Sequence, residues 1–511
     1  MRSRFIGGDH KSFRFLLRFP VKFFRRQRMM KSLNVRIGFV PSYRFGDLPW
    51  CQKMRDDSLS VFAKVKGMEV LVPAPLSSDE NSSDGGVHTP NGMVSTLDQA
   101  ELVADYFHQK KVDGLILCPL DFGDERSACK IAEKLRVPVL LYATKEPEAK
   151  KDPGLGRKSD SYCGNLAMAS GLYRRKILFH YAGIFFPEEP EFQDAVQTFV
   201  RAVAVTKGMK GAYLGQVGVR PPTFETVGYN EAALIHSFGQ NVIYVNMADI
   251  IDEAKGYGDS PVILEKMADI RKSFSETSVS DIYLRHAAQL EHALTKFWEE
   301  NNLSGMAMQC WPSVQRMMGI CVCSVFGRLT SKGMLTACET DLLGVLAMLV
   351  NYRAAMGETV PHFVDWTIQH RENPDRFLAW HCGNAPVCLA RDPQKTALRS
   401  FRDMTGELPI EEQDPSAGLA RFQLRPGRVT FCRLVEYDYK WKMLIATGEI
   451  IPSDEELAGT WAWVQVPDHE RLYRTLIEEG FIHHASMIHG DQTKSLLQAC
   501  KFLDIEPVLV E

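Results

Sequence analysis

The sequence predicts an α/β fold: two doubly wound α/β domains followed by a mainly antiparallel, barrel-like β domain. Three observations predict it. From Val35 onward, short aliphatic runs alternate with helix-length segments; the same rhythm restarts after a polar link; beyond residue 356 apolar and polar residues alternate at period two. A chain of 511 residues has room for about three domains of ~150 residues.

The elements follow in order. "VRIGFVP", "MEVLVPAP", "DGLILCPL" and "PVLLYAT" are predominantly apolar runs that read as buried parallel strands, with "TLDQAELVADYFHQKK" and "ERSACKIAEKL" as helices between them. The link "EPEAKKDPGLGRKSDS" ends this first domain, residues 32–175. In the second, 176–355, "GAYLGQVG", "NVIYVNM", "GMAMQCW" and "GMLTACE" are strands, and "ILEKMADIRKSF" and "IYLRHAAQLEHALTKFWEENN" are helices. The third domain, 356–511, alternates in "HFVDWTI", "RFLAWHCG", "RFQLRPGRVTFCRLVEYDYKWKMLIATGEII" and "TWAWVQV", and it closes with "FIHHASMIHGDQTKSLLQACKFLDIEPVLVE".

Charge sets residues 1–31 apart. They hold ten Lys or Arg against one Asp, +9, which leaves −12 for the rest of a chain whose formal net charge is −3. The expectation for 1–31 is a basic extension, either disordered or preceding the true start at Met29 or Met30. The acidic remainder argues against nucleic acid as the partner, and no apolar run approaches the ~20 residues of a membrane span. Twelve scattered cysteines, with no C-x-x-C pair, read as reduced thiols and a cytoplasmic location.

Several polar residues interrupt apolar surroundings. In "TACETDLLGVLAML", Glu339 stands three residues after Thr336, the spacing of a capping box, and Asp341 reads as a residue of the first helical turn. Asp365 in "VPHFVDWT" fits a strand end that reaches a pocket, or a turn. His381 in "RFLAWHCGNAP" ends another strand, where a histidine is commonly structural. "GFIHHASMIHGDQ" places His483, His484 and His489 within seven residues, a candidate metal loop. Neighbours on a strand point to opposite faces, so one of His483 and His484 should enter a given pocket. Together, two carboxylates and two histidines at the C-terminal edges of strands form a set able to hold one divalent ion, with N/O chemistry that favours Mn²⁺.

The blocks "ACETDLLG", "VDWT", "WHCGNAP" and "GFIHHASMIHGD", in that order, resemble the L-fucose isomerase and L-arabinose isomerase family, as a divergent member; "DGLILCPLDFGDE" and "GQVGVRPPTFET" also resemble its first two domains. The resemblance implies that Glu339, Asp365 and His484 ligate a metal, with His381 a fourth ligand as in the arabinose branch. It also implies that Glu339 and Asp365 exchange acid and base roles in an aldose-ketose isomerisation of a pentose or 6-deoxyhexose through an ene-diol. Gln309 and Trp311 would line the same edge, although a core position is the leading reading for the Trp, and Arg44 would serve a neighbouring subunit's pocket in a homo-oligomer, a hexamer in relatives. A non-catalytic sugar-binding or regulatory protein is the rival reading. So is an isomerase of a sulfonated or otherwise modified sugar, for which no anion-site motif stands out.

Overall fold

The computed structural model describes residues 33–76, 86–147, 158–400 and 417–511. The basic extension expected at 1–31 lies outside the described residues.

Five parallel strands form the first sheet, in the order Met68–Leu71, Val35–Ser42, Gly114–Pro119, Val139–Thr144, Phe179–Phe185. Alternate residues of each central strand enter two separate cores. Ile116, Cys118, Leu140 and Tyr142 pack with Phe192 and Phe199 of the helix Pro190–Met209, whereas Leu115, Leu117, Val139 and Leu141 pack with Val103, Phe107, Ala128 and Met168 of three other helices. That division is the double winding, and it explains why those strands are apolar at every position. Phe179–Phe185 carries the sheet past residue 175, because it pairs in parallel with Val139–Thr144. It is a partly exposed edge strand, and "FHYAGIF" lacks the continuous apolar run of its neighbours.

The second sheet has four parallel strands, in the order Asn241–Val245, Tyr213–Val217, Gly305–Met308, Thr336–Ala337. Its C-terminal edge therefore presents the loop after Val217, then Gln309 and Cys310, then Cys338 and Glu339. Ligands of open parallel sheets gather at such an edge.

The third layer is a ten-stranded, mainly antiparallel sheet that contains a closed ring. Around the ring run His362–Gln369, Arg376–His381, Thr460–Gln465, Lys440–Ile451, Gly427–Tyr437 and His484–His489, each antiparallel to the next, and the last pairs with the first. Closure removes the free edges that a six-stranded sheet would otherwise expose.

The helix Leu342–Ala354 is buried on nearly every side, between Pro190–Met209 and the strands Gly427–Tyr437 and His484–His489. Burial all round is what "LLGVLAMLV" demands. Its N-cap differs from the capping box expected at Thr336 and Glu339. Thr336 lies in a strand, and the helix starts later, at Leu342, capped by Asp341, whose carboxylate accepts the Gly344 N–H at 2.8 Å. No helix among the described residues is long and apolar enough to cross a membrane.

Candidate active site

Glu339 occupies a tight turn between the second sheet and the buried helix. Glu339 and Thr340 both take left-handed backbone conformations, φ 54° and 57°, which cost non-glycine residues about 1–2 kcal/mol each. Such strain persists where the surroundings enforce it, and it concentrates at functional sites. The turn directs the Glu339 side chain toward the barrel strands. There the Trp311 indole N–H donates to its Oε1 at 3.1 Å, while Oε2 is buried with no hydrogen-bond partner.

Three barrel residues meet that carboxylate. Asp365 stands directly across from His484 in the antiparallel pair, and beside the His381 strand on its other flank. His484 Nε2 lies 3.4 Å from Glu339 Oε2 and 3.6 Å from Asp365 Oδ1, and Asp365 Oδ1 is likewise buried and unpartnered. His381 offers a ring nitrogen within 4.8 Å of ligand atoms of Glu339 and His484. Residues 339, 365, 381 and 484, spread over three strands and a turn, thus share one small volume; of the expected C-terminal strand ends only His381 is one, since Asp365 lies mid-strand and His484 opens its strand. Phe363 packs beneath both imidazoles, with ring centroids 4.7 Å from His484 and 5.7 Å from His381.

The two histidines are prepared differently. His484 Nδ1 bonds Asp341 Oδ2 at 2.9 Å; a carboxylate can only accept, so Nδ1 carries the proton and Nε2 presents its lone pair to the site. Asp341 also takes two bonds from the fully buried Arg433 guanidinium. Burial alone would raise the Asp341 pKa, but the Arg433 charge and the His484 bond outweigh it and hold the group well below the usual carboxylate range. His381 Nδ1 instead lies 2.9 Å from the Cys382 backbone nitrogen and 3.3 Å from its sulfur; burial would lower the His381 pKa, but Cys382 and the Asp365 and Glu339 carboxylates outweigh it and raise the group well above the usual imidazole value. Burial pushes the Glu339 carboxyl upward, partly offset by the two histidines.

The unpartnered oxygens of Glu339 and Asp365, facing a lone-pair nitrogen, fit a cation. Buried carboxylate oxygens without donors carry a desolvation penalty of several kcal/mol that a divalent ion would remove. A carboxylate behind the ligating histidine is the usual support of such a ligand.

Other expectations fall differently. Trp311 contacts Glu339 and also Phe224, at 5.3 Å between ring centroids. Gln309, two residues before Trp311, is buried, with Oε1 accepting the Ser313 hydroxyl. Arg44 packs over Phe45 and Phe122 at the edge of the first sheet, and among the described residues it makes no bond to the Glu339 group. His489 turns away to the Arg425 carbonyl, so the three-histidine loop does not converge. His483 and His484 do not separate by strand alternation. The strand begins at His484, so His483 precedes it, and its ring stands 4.0 Å from that of His484.

Arg433 and Phe224 were not singled out from sequence. Arg433 had a signal: like Asp341, it is a charge within an apolar run, "VTFCRLV", and two such charges of opposite sign are candidates to pair. Phe224 had none, since its packing on Trp311, His483 and His484 depends on how one loop folds.

Comparison with known proteins gives two matching family models: residues 82–210 match the fucose/sulfoquinovose isomerase N-terminal domain, and 379–510 match the L-fucose isomerase C-terminal domain. Among curated proteins, the chain is similar to the sulfoquinovose isomerase of Alkalicoccus urumqiensis, 25% identical over 78% of this chain and 86% of that one. It is also similar to those of Priestia aryabhattai, 24% over 82% and 90%, and Clostridium sp. (strain MSTE9), 23% over 83% and 91%. A periplasmic solute-binding protein from Actinobacillus succinogenes 130z with bound D-allose matches 64% of this chain and 93% of its own at 13% identity, with a TM-score of 0.16, too low to bear on the fold.

Proposed function

The chain is a divergent member of the L-fucose isomerase family, and from that premise we propose that it is a metal-dependent aldose-ketose isomerase of a sulfonated 6-deoxyhexose of the sulfoquinovose type. The observation that carries the reading is the pair of unpartnered carboxylate oxygens, on Glu339 and Asp365, around the His484 lone pair. The substrate class rests on the relatives, all named for sulfoquinovose. It replaces the unsubstituted pentose or 6-deoxyhexose expected from sequence.

Glu339, Asp365 and His484 would hold the ion, for which Mn²⁺ suits the mixed oxygen and nitrogen donors. Bound there, it supplies a Lewis acid for the sugar oxygens at C1 and C2. One of the two carboxylates takes the proton from C2 of the open-chain aldose, whose C–H electrons form the ene-diol double bond. A proton is delivered to C1 from the carboxyl pair after exchange with solvent, and the hydroxyl proton passes from O2 to O1. Burial of Glu339 raises its pKa toward the working range of a general base. His381, whose ring nitrogen lies within 4.8 Å of ligand atoms of Glu339 and His484, is the fourth candidate ligand of the ion. Trp311 and Phe224 wall the site with aromatic surface on which a sugar can rest.

The reading includes a homo-oligomer, up to a hexamer, since a second copy would be needed to bring Arg44 near a pocket. Its twelve free thiols suit the cytoplasm. The test is turnover in D₂O, with and without Mn²⁺, of sulfoquinovose, L-fucose and the aldopentoses. Deuterium should enter sulfoquinovose and its ketose at C1 or C2, and Glu339→Gln should slow exchange by at least ~10²-fold. Full exchange by that variant would remove Glu339 from the chemistry, and exchange confined to unsulfonated sugars would overturn the substrate class.

A further inference from the structure

Four of the twelve cysteines gather beside Glu339. Cys310 and Cys338 follow adjacent strands of the second sheet, so both stand at its C-terminal edge. Their sulfurs and one Glu339 oxygen all lie within 4.8 Å of one another, and the three residues are buried. A separate pair, Cys323 and Cys382, has its sulfurs 3.3 Å apart, next to His381. Nothing in the isomerisation uses these thiols.

We propose that Cys310, Cys338 and Glu339 form a second cation site, selective for thiophilic divalent ions such as Zn²⁺ or Cd²⁺, which competes with the oxygen- and nitrogen-lined site by taking Glu339 from it. Two thiolates at ~2.3 Å from a shared tetrahedral zinc stand ~3.8 Å apart, and the two sulfurs and the Glu339 oxygen here lie within 4.8 Å of one another. Glu339 has an oxygen that is buried and unpartnered, the kind of donor that a buried cation requires. On binding, each thiol releases its proton to solvent and coordinates as thiolate, with no change of oxidation state. Soft sulfur donors prefer Zn²⁺ or Cd²⁺ to Mn²⁺, whereas Asp365 and His484 offer no sulfur, so each ion has its own side of the shared carboxylate. A dication on one side of the carboxylate draws off its charge and repels a dication on the other, so the two sites compete.

The test is titration of metal-free, reduced, full-length protein with Cd²⁺, following the thiolate-to-Cd²⁺ charge-transfer absorption in the ultraviolet. Samples preloaded with Mn²⁺ are followed by the electron paramagnetic resonance of released Mn²⁺. One equivalent of Cd²⁺ should raise the band and release Mn²⁺. Cys310→Ser with Cys338→Ser should abolish both effects, and Cys323→Ser with Cys382→Ser should leave both intact. The proposal is overturned if wild-type protein shows no band, if the band survives loss of Cys310 and Cys338 or vanishes with Cys323 and Cys382, or if Cd²⁺ enters while Mn²⁺ stays. A protein that binds no Mn²⁺ still reports this site through the band, so failure of the first site and of the second are distinguishable.

Discussion

The two carboxylates two residues apart, Glu339 and Asp341, divide the labour of the site: one faces it with an unpartnered oxygen, the other holds His484 from behind. Asp341 does so only because Arg433 neutralises it, so the three side chains should respond as a unit. Asp341→Asn would leave Arg433 buried without a counter-charge, a loss of about 3–5 kcal/mol, and would remove the acceptor that fixes the His484 tautomer. Adding Arg433→Met should restore most of the stability while Mn²⁺ affinity stays about 10- to 100-fold weak. Denaturation and chelator competition separate the two effects, and recovery of affinity along with stability would show that Asp341 acts on the fold alone. Glu339, Asp365 and His484 stood out by residue type, as polar groups interrupting apolar runs, but not by position, because Asp365 lies mid-strand and His484 opens its strand. The work of Asp341 was not, because a first-turn aspartate and a buried partner of histidine have the same local sequence; only the fold brings Arg433 to it from the barrel, in a strand remote in sequence.

Among the elements, the helix Leu342–Ala354 sets how closely the sheet edge can approach the barrel. Gly344, in its first turn, makes that approach. A Cβ there would stand 2.5 Å from the Phe363 ring and 2.6 Å from Asp341 Oδ2. Gly344→Ala therefore has to displace the ring that floors both imidazoles, the carboxylate behind His484, or both. Its better helix propensity, about 1 kcal/mol, opposes a steric cost of about 1–3 kcal/mol. The expected outcome is a modest net loss of thermal stability with a larger proportional loss of Mn²⁺ affinity; unchanged affinity would mean that the helix yields without moving the site. The central strands Gly114–Pro119, Val139–Thr144 and Gly305–Met308 were readable because burial on both faces leaves continuous apolar runs. The edge strand Phe179–Phe185 and the helix start at Leu342 were not, since partial exposure blurs the first and a left-handed turn, invisible to spacing rules, delays the second.

Across the whole molecule, the helix Cys323–Ser331 bridges the layers: Gly327 lies against the Asn384 and Ala385 backbone just beyond His381, while Arg328 on the same helix enters a buried charge cluster among the helices of the second layer. The hub of that cluster is Glu291, fully buried, with Arg328 Nε at 2.7 Å, Lys332 Nζ at 2.8 Å and Lys266 Nζ at 3.1 Å. Burial would raise its pKa, but Arg328 above all, then the lysines, outweigh that and lower it from 4.5 to about 2. A depressed carboxylate stabilises the folded state above its unfolded pKa and loses that contribution as pH falls toward the folded value, so the window is pH 4.5 down to about 2. The contribution at neutral pH is about 3 kcal/mol, from ~1.4 kcal/mol per pKa unit. Glu291→Gln should therefore be destabilised at pH 7 by about that amount, since the two lysines lose their shared counter-charge there and Arg328 is left with Asp269. The gap from wild type, measured by urea denaturation, should narrow steadily below pH 4.5 as wild-type Glu291 takes up its own proton. A gap that stays constant with pH would show that Glu291 holds the bridging helix through shape rather than charge.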